Sequence, residues 1–144
     1  MTETAATRPM LSPVTDDRDT GGFFEAAARG ELALRACSKC GTILHVPRAY
    51  CRVCGSWDGE WRVVGGAGTL HSWTVVDHQV HPAYPVPYTI VLVDLDDAPG
   101  VRLLGHLAGS PDLRVGLPMQ VVFEERPDGA ILPNWEPAPA GPSD

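Results

Sequence analysis

The sequence predicts a mostly β fold in which a short N-terminal helix and a cysteine-rich metal module precede a small barrel. Two observations carry this prediction. All four cysteines lie in two CxxC pairs within CSKCGTILHVPRAYCRVCGS, and the chain from Trp61 to Trp135 contains five or six short β-branched runs separated by glycine and proline turns. Because this region shows no helical period, the strands favour a small barrel over a βαβ sheet.

Length and composition are those of one globular domain. A chain of 144 residues with 44% apolar and 20% charged residues is close to the globular average. We expect a flexible N-terminal tail over residues 1–19, the helix and metal module over 20–58, the barrel over 59–135 and a flexible C-terminal tail over 136–144. The tails mix proline with small and polar residues, a pattern that sustains neither a helix nor a strand ladder.

The expected compartment follows from what the sequence lacks. It has no apolar window of the ~18 residues that a membrane span needs, and its first residues lack the basic-then-apolar order of a secretory signal. We therefore expect a cytoplasmic protein with no membrane partner. Thiols stay reduced in that compartment, so paired CxxC motifs indicate a metal site rather than disulfides.

The stretch DTGGFFEAAARG predicts a short helix over residues 21–29, with Gly30 as its terminator. A helix this short is marginal in water, so its aromatic residues Phe23 and Phe24 must pack against something. The following ELALRAC alternates apolar and polar residues, which predicts a strand that runs into the first CxxC pair.

Beyond the cysteines, the strand signals come in short runs that turn residues separate. The turn signals include DDAPG and RPDG. The predicted strands are the two halves of WRVVGGAGTLHSWTVVDH, which meet at a glycine-rich kink, and then PYTIVLVDL, VRLLGHLAG, MQVVFEE and ILPNW.

The four cysteines are the candidate metal ligands: Cys37, Cys40, Cys51 and Cys54. A CxxC turn aims two thiolates at one ion, and two such turns complete a tetrahedral sulfur shell. Zinc is the leading interpretation and iron the alternative for the same ligand set, whereas a redox dithiol needs only one pair. Four sulfurs leave no open coordination position, so the predicted role of the metal is structural.

No residue is assigned a catalytic role. The sequence contains no GxSxG, HExxH or P-loop motif, and no cysteine is left over from the metal set to act as a nucleophile. The five histidines share no ligand-type spacing, so solvated or structural roles are the default for them. The acid cluster in VDLDDAPG is interpreted as solvated turn carboxylates.

Charge is unevenly distributed along the chain. The net charge of −7 argues against general binding of nucleic acid or anionic membranes. Residues 29–62 contain six cations and three anions, a net charge of +3, so the rest of the chain carries −10. A phosphate-bearing ligand is therefore expected at the cysteine region.

The order of the parts resembles a known family. A short aromatic helix and a strand are followed by CSKCG, PRAYCRVCGS, VVGGAGTLHSWTVV, PYTIVLVDL, VRLLGHLAG and DLRVGLPMQVVFEE. From about residue 20 to residue 135 this order resembles the zinc-ribbon plus OB-fold family of acyl-CoA-associated proteins, long catalogued as domain of unknown function thirty-five. The resemblance implies a rubredoxin-like zinc ribbon on the four cysteines beside a five-stranded OB-fold barrel. This chain departs from it at His106, where relatives often have an asparagine in a GNL-like stretch.

The resemblance also implies a function. Proteins of this family look like non-catalytic partners of thiolase-fold enzymes, including thiolases and the lipid-transfer-protein-like aldolases of steroid side-chain degradation. The expected role is an accessory subunit that binds and stabilises such an enzyme, with a retro-aldol lyase acting on a steroid or similar side-chain CoA ester as the first choice. One alternative is a partner of a MaoC-type enoyl-CoA hydratase, and another is a zinc-ribbon and OB-fold binder of nucleic acid.

Two pairs of residues are the expected contacts in that role. Phe23 and Phe24 are the candidates for docking the partner enzyme. Arg48 and Arg62, in the basic segment, are the candidates for contacting the phosphates of the CoA thioester. The alternative for both arginines is that they keep the surface of the ribbon soluble.

Overall fold

The computed structural model describes residues 9–139, which contain one helix and seven strands. The helix is α1 (Gly21–Ala28), and the strands are β1 (Leu32–Cys37), β2 (Gly59–Val64), β3 (Ala67–Val76), β4 (Tyr88–Leu95), β5 (Arg102–Ala108), β6 (Pro118–Glu125) and β7 (Ile131–Pro137). The mostly β class, the single N-terminal helix and the order of the strands confirm the prediction. Among the described residues, no helix has the length and apolar character that crossing a membrane requires.

Helix α1 ends one residue before the predicted end, at a left-handed glycine. Gly30 has a φ of 74°, and the Glu31 N–H donates to the Ala26 carbonyl at 2.9 Å. Glycine adopts this conformation without the penalty that a Cβ brings, so it terminates the helix. Ala26 and Ala27 are fully buried, and Phe23 packs against the main core.

A two-stranded antiparallel sheet joins the cysteine module to the main sheet. β1 and β2 pair from Leu32 opposite Val64 to Cys37 opposite Gly59, so most of the cysteine module is the connection between these two strands. Leu32 and Leu34 are buried in the main hydrophobic core. The base of the cysteine module is therefore fixed to the core of the larger domain.

The remaining five strands form one antiparallel sheet in the order β5-β4-β3-β6-β7. The sheet curls until its two edge strands, β5 and β7, come close to each other. They do not pair through their backbones, so the predicted five-stranded barrel is an OB-type sheet that stays open at one seam. One physical reason lies in β7, because Pro133 and Pro137 have no N–H to donate to a neighbouring strand.

The side chain of Asn134 bridges this seam. Asn134 is only 7% exposed, its Oδ1 accepts from the His106 N–H at 2.7 Å, and its Nδ2 donates to the His106 carbonyl at 2.8 Å. One amide side chain on β7 thus satisfies both backbone groups of a residue on β5, as a paired strand would. Its Nδ2 also donates to Glu124 Oε1 at 3.0 Å.

The core fills the concave side of the sheet. Its fully buried large side chains include Trp135, Leu70, Met119, Val91 and Val93. Close packing beside the seam requires a glycine, because a Cβ on Gly105 would lie 2.8 Å from Trp135 Cδ1. The sequence predicts the strands that supply this core but not the close approach at Gly105.

The two ends of the described chain run along the barrel. Residues 9–19 form no helix or strand, and Leu11 and Ser12 contact the β6–β7 hairpin: Arg126 Nη2 donates to the Leu11 carbonyl and Ser12 Oγ donates to Asp128. β7 continues two residues beyond Trp135, the predicted end of the barrel, and Ala138 N–H donates to the Pro118 carbonyl at 2.9 Å. The predicted tails extend in part over residues 1–8 and 140–144, which lie outside the described residues.

Candidate functional site

Two knuckles of the same geometry present the four cysteines. In the first, the Gly41 N–H donates to the Cys37 carbonyl at 2.9 Å and Gly41 has a φ of 75°. In the second, the Gly55 N–H donates to the Cys51 carbonyl at 2.8 Å and Gly55 also has a φ of 75°. Only glycine enters this conformation freely, so the glycine after each CxxC pair closes the turn that aims the thiols.

The four sulfurs lie close enough together to coordinate one ion. The Sγ atoms of Cys37, Cys40, Cys51 and Cys54 all lie within 4.8 Å of one another. The Cys37–Cys54 and Cys40–Cys51 sulfur pairs are each 3.6 Å apart. A tetrahedral zinc with Zn–S bonds of ~2.3 Å has sulfur–sulfur edges of roughly 3.8 Å, so the site fits this ion.

The protonation of the thiols reflects their crowding. The hydroxyl of Thr42, 3.0 Å from Cys40 Sγ, and the Thr42 backbone lower the pKa of the Cys40 thiol to about 6. The Ser56 backbone lowers the pKa of Cys54, but burial and the three neighbouring cysteines outweigh it and raise that pKa to about 11. A divalent metal at this position would reduce the repulsion between neighbouring thiolates and favour their deprotonated form.

The metal module has a very small apolar core of its own. Cys37, Leu44 and Cys51 form its buried cluster, whereas Cys40 and Cys54 are exposed at its surface. So little buried surface cannot offset the chain entropy of the ordered loop. Coordination of one ion by the four cysteines would therefore be the main source of stability for this segment, and it would leave no position on the ion for a substrate.

The predicted docking residues, Phe23 and Phe24, lie together on α1. Their rings meet edge to face with centroids 5.3 Å apart. Phe23 is half-buried against the main core, and both rings line an apolar hollow of about 400 Å³ together with Val14 and Pro47. Part of the surface expected to dock a partner thus stabilises the helix on its own protein.

The predicted phosphate contacts, Arg48 and Arg62, lie on different elements. Arg48 is exposed in the segment that joins the two knuckles, and Arg62 is on β2. Arg62 Nη2 lies 3.1 Å from Glu60 Oε1, an ion pair in which both side chains are about half exposed. Such a pair adds little stability and leaves Arg62 accessible to a ligand.

A polar network on the outward side of the main sheet was missed by sequence reasoning. Asp94, interpreted there as a turn carboxylate, lies on β4, where its Oδ1 accepts from Arg102 Nε at 2.8 Å and its Oδ2 lies 3.0 Å from His71 Nδ1. Desolvation raises the pKa of Asp94, but the Arg102 guanidinium and His71 outweigh it and leave that pKa below its usual range. These three residues meet only because of how β3, β4 and β5 align with one another, and the sequence does not show that alignment.

The comparisons with family models match both parts of the structure. Residues 24–58 match the rubredoxin-like zinc ribbon domain of ChsH2, and residues 61–124 match the C-terminal OB-fold domain of ChsH2. The chain belongs to the ChsH2 family. The family assignment confirms the recognised resemblance, the zinc-ribbon module and the OB fold.

Two curated relatives carry the same family region within longer chains. The chain is 36% identical over 124 residues to a probable enoyl-CoA hydratase alpha subunit of Thermomonospora curvata, covering 85% of this chain and 38% of that protein. It is 32% identical over 130 residues to the 3-oxo-4,17-pregnadiene-20-carboxyl-CoA hydratase alpha subunit of Mycobacterium tuberculosis, covering 89% of this chain and 40% of that protein. The chain thus spans about two fifths of the length of these relatives.

Two solved structures share the fold. A chain of the Ltp2-ChsH2(DUF35) aldolase superposes with a TM-score of 0.78 at 31% identity, covering 87% of this chain and 98% of that chain. A DUF35 protein of unknown function from Sulfolobus solfataricus gives a TM-score of 0.52 at 22% identity, covering 71% of this chain and 75% of that chain, and supports the fold alone.

Proposed function

We propose that this chain is a non-catalytic accessory subunit that binds and stabilises a thiolase-fold aldolase. The observation that carries the proposal is the likeness to the Ltp2-ChsH2(DUF35) aldolase, whose matching chain is covered over 98% of its length. The proposed reaction of the complex is retro-aldol cleavage of a steroid or similar side-chain CoA ester. The name of the Mycobacterium tuberculosis relative, a steroid-type carboxyl-CoA hydratase subunit, supports that substrate class.

The side chains of the ChsH2-type chain support a role without catalysis. Among residues 9–139, the four cysteines are the one cluster of potential ligands whose atoms converge on a metal position. Their four sulfurs fill a tetrahedral shell, so the ion has no place for water or a thioester oxygen. The catalytic groups are therefore assigned to the partner enzyme.

Zinc is the proposed metal, and its role is to fold the ribbon. The family model is named for a rubredoxin-like zinc ribbon, and the sulfur spacing suits Zn²⁺. Iron takes the same four thiolates, so recombinant protein prepared in an iron-rich medium is expected to contain some iron. We assign the complex to the cytoplasm, where the thiols remain reduced and available to the metal.

Contacts with partner and substrate are part of the proposal. Phe23 and Phe24 line an apolar hollow that a partner side chain fits, which supports a docking role for α1. Arg48 and Arg62 are proposed to meet the phosphates of the CoA thioester as it enters the partner enzyme. Both arginines lie in the one segment of net positive charge in an acidic chain.

The second candidate function is partnership with a MaoC-type enoyl-CoA hydratase. It is favoured by the names of the two curated relatives, which are hydratase alpha subunits. Those proteins are more than twice as long as the matched region, so their names cover parts that this chain does not match. Binding of nucleic acid ranks third, because a chain with a net charge of −7 repels a phosphate backbone.

The proposal is tested by affinity purification of the tagged chain from its native cell extract, with co-eluting proteins identified by mass spectrometry. Near-equal amounts of a thiolase-fold aldolase are expected. Recovery of a hydratase instead would favour the second candidate, and recovery of nucleic acid alone would contradict both enzyme partnerships. A variant with Cys37 and Cys51 replaced by serine is the control for capture by an unfolded ribbon.

A further inference from the structure

β4, which lies between β3 and β5 in the sheet, is apolar on both faces. Its residues alternate strictly between fully buried and half-buried, so Val91 and Val93 point into the core while Ile90 and Leu92 point outward. An antiparallel strand that faces water on one side normally carries polar residues there. Two outward apolar residues in the middle of a three-stranded face indicate a surface suited to burial.

Strand register places these residues beside further outward side chains. Leu92 lies opposite Leu104 on β5 and opposite Ser72 on β3, and Ile90 lies opposite His106 on β5. Residues directly opposite each other in antiparallel strands have Cβ atoms about 4.5–5.5 Å apart. We name the outward side of β3, β4 and β5 the outer sheet face; it has an apolar centre with the polar residues Ser72 and His106 beside it.

The outer sheet face is exposed in this chain. Leu104 is 67% exposed, and the ring of His106 lies 5.0 Å from that of Tyr88 at the next outward position of β4. A single exposed leucine on a protein surface needs no explanation. Here Leu104 lies directly opposite Leu92, and Ile90 is the next outward residue on β4. The apolar surface is therefore contiguous across two strands.

The charge around the outer sheet face decides between possible occupants. One end of the face carries Asp94, which pairs with Arg102, and the chain continues from β4 into the exposed turn residues Asp96 and Asp97, of which Asp97 accepts from the Gly65 N–H at 2.8 Å. Residues 59–139 contain ten acids and four bases, a net charge of −6. Like charge opposes the approach of a second copy or of nucleic acid, so the fitting occupant is an apolar protein surface with cations at its rim.

We infer that the outer sheet face is the docking surface for the aldolase subunit, with Leu92 at its centre, Leu104 beside it on the edge strand, and the turn at Asp96 and Asp97 against basic residues of the partner. The inference rests on the proposed function and deepens it by naming the surface that the partner covers. It adds a second docking area to the α1 aromatics, on the other domain of the chain.

The test compares two matched variants of the full chain. Leu104→Asp puts a charge on the outer sheet face beside Leu92, and Val115→Asp introduces the same charge at a site that is 68% exposed on the β5–β6 connection. Binding to the purified thiolase-fold aldolase of the same organism is measured by biolayer interferometry. Leu104→Asp is expected to weaken the Kd at least tenfold and Val115→Asp to change it less than twofold. Both variants should unfold at the same urea concentration as the unmodified chain.

Hydrogen exchange of the complex provides the second readout. Amides of residues 88–108 are expected to gain protection when the aldolase binds. Equal binding by Leu104→Asp and the unmodified chain, or protection confined to residues 38–58 of the ribbon, would overturn the inference and leave the proposed function intact. No binding by the unmodified chain would overturn the proposed function as well. Self-association that Leu104→Asp abolishes would identify a second copy as the occupant and also overturn it.

Discussion

The ribbon and the OB domain of this chain reach a fixed structure by different means. The ribbon has a buried cluster of only Cys37, Leu44 and Cys51, whereas the OB domain has a continuous core that includes Trp135 and Met119. A metal held by the four cysteines would stabilise the ribbon as hydrophobic burial stabilises the sheet. The difference teaches that the ribbon needs a source of stability other than burial, whereas close packing holds the sheet, so each region can be perturbed separately.

Removing the metal gives the largest expected effect and tests this separation most severely. Binding of a structural zinc supplies roughly 10–16 kcal/mol in zinc-finger peptides, so Cys51→Ser or chelation should unfold both knuckles and the segment between them. The knuckle amides of Gly41 and Gly55 should lose protection from hydrogen exchange, while those of Val91 and Val93 keep it. The control is recovery of protection when zinc is returned to the chelated protein.

The packing of β1 predicts how far unfolding extends after the metal is removed. Leu32 and Leu34 belong to the main core, so β1 should stay paired with β2 after the metal leaves. Unfolding is therefore expected between residues 38 and 58. Equal protection with and without metal would contradict a structural metal, and loss of protection throughout β4 would contradict the independence of the two regions.

The second-largest expected effect comes from changing Asn134, which bridges the seam between β5 and β7. Asn134→Asp replaces the amide group that donates to the His106 carbonyl and to Glu124 with a carboxylate oxygen. Because an unsatisfied buried group costs about 1–3 kcal/mol, and more when charged, the free energy of unfolding in urea should fall by at least this amount. Metal content should not change.

A matched control lies on the neighbouring strand. Gln120→Glu makes the same chemical change at an exposed pair, where Gln120 Nε2 donates to Glu136. Exposed pairs contribute about 0–1 kcal/mol, so this variant should lose less than Asn134→Asp. Equal losses from the two variants would show that the seam amide has no special role in closing the sheet.

The smallest effect concerns Asp94 on the outer sheet face. Arg102→Gln should bring the pKa of Asp94 back toward its usual value of about 3.9, measured by carbon NMR of the carboxyl group. A depressed folded-state pKa gives stability that is present above the unfolded pKa and is lost as pH falls through the folded pKa. The stability advantage of the unmodified chain should therefore shrink below about pH 4.

Low pH also releases the metal from both Arg102→Gln and the unmodified chain. The comparison therefore uses the difference between their free energies of unfolding at each pH. At neutral pH that difference should be no more than about 1 kcal/mol, because both side chains are well exposed to solvent. An unchanged pKa in Arg102→Gln would show that the ion pair does not determine the ionisation of Asp94.

The sequence predicts the ribbon more completely than the sheet. CxxC spacing and the following glycines depend on neighbours in sequence, so the four candidate ligands and both knuckles could be identified from the residues alone. The strands of the OB domain were also predictable from β-branched runs. Local pattern is sufficient wherever the contacts that matter are close in the chain.

Features that depend on register could not be predicted. Asn134 meets His106 across 28 residues, and His71 meets Asp94 across 23 residues beside a register shift between Leu70 and Ser72. The predicted five-stranded OB fold is confirmed, but its open seam could not be predicted, because the prolines and the Asn134 side chain there take the place of backbone pairing. Nothing in the periodicity of PYTIVLVDL shows whether its second apolar face meets the core or a partner.

The most direct test of the accessory role is reconstitution of turnover. The purified chain and the thiolase-fold aldolase are assayed separately and together with a steroid side-chain CoA ester, and cleavage is followed by mass spectrometry. The account predicts no cleavage by this chain alone and a large gain in stable aldolase activity when the two are mixed. Cleavage by the chain alone, or aldolase activity unchanged by its addition, would contradict the account.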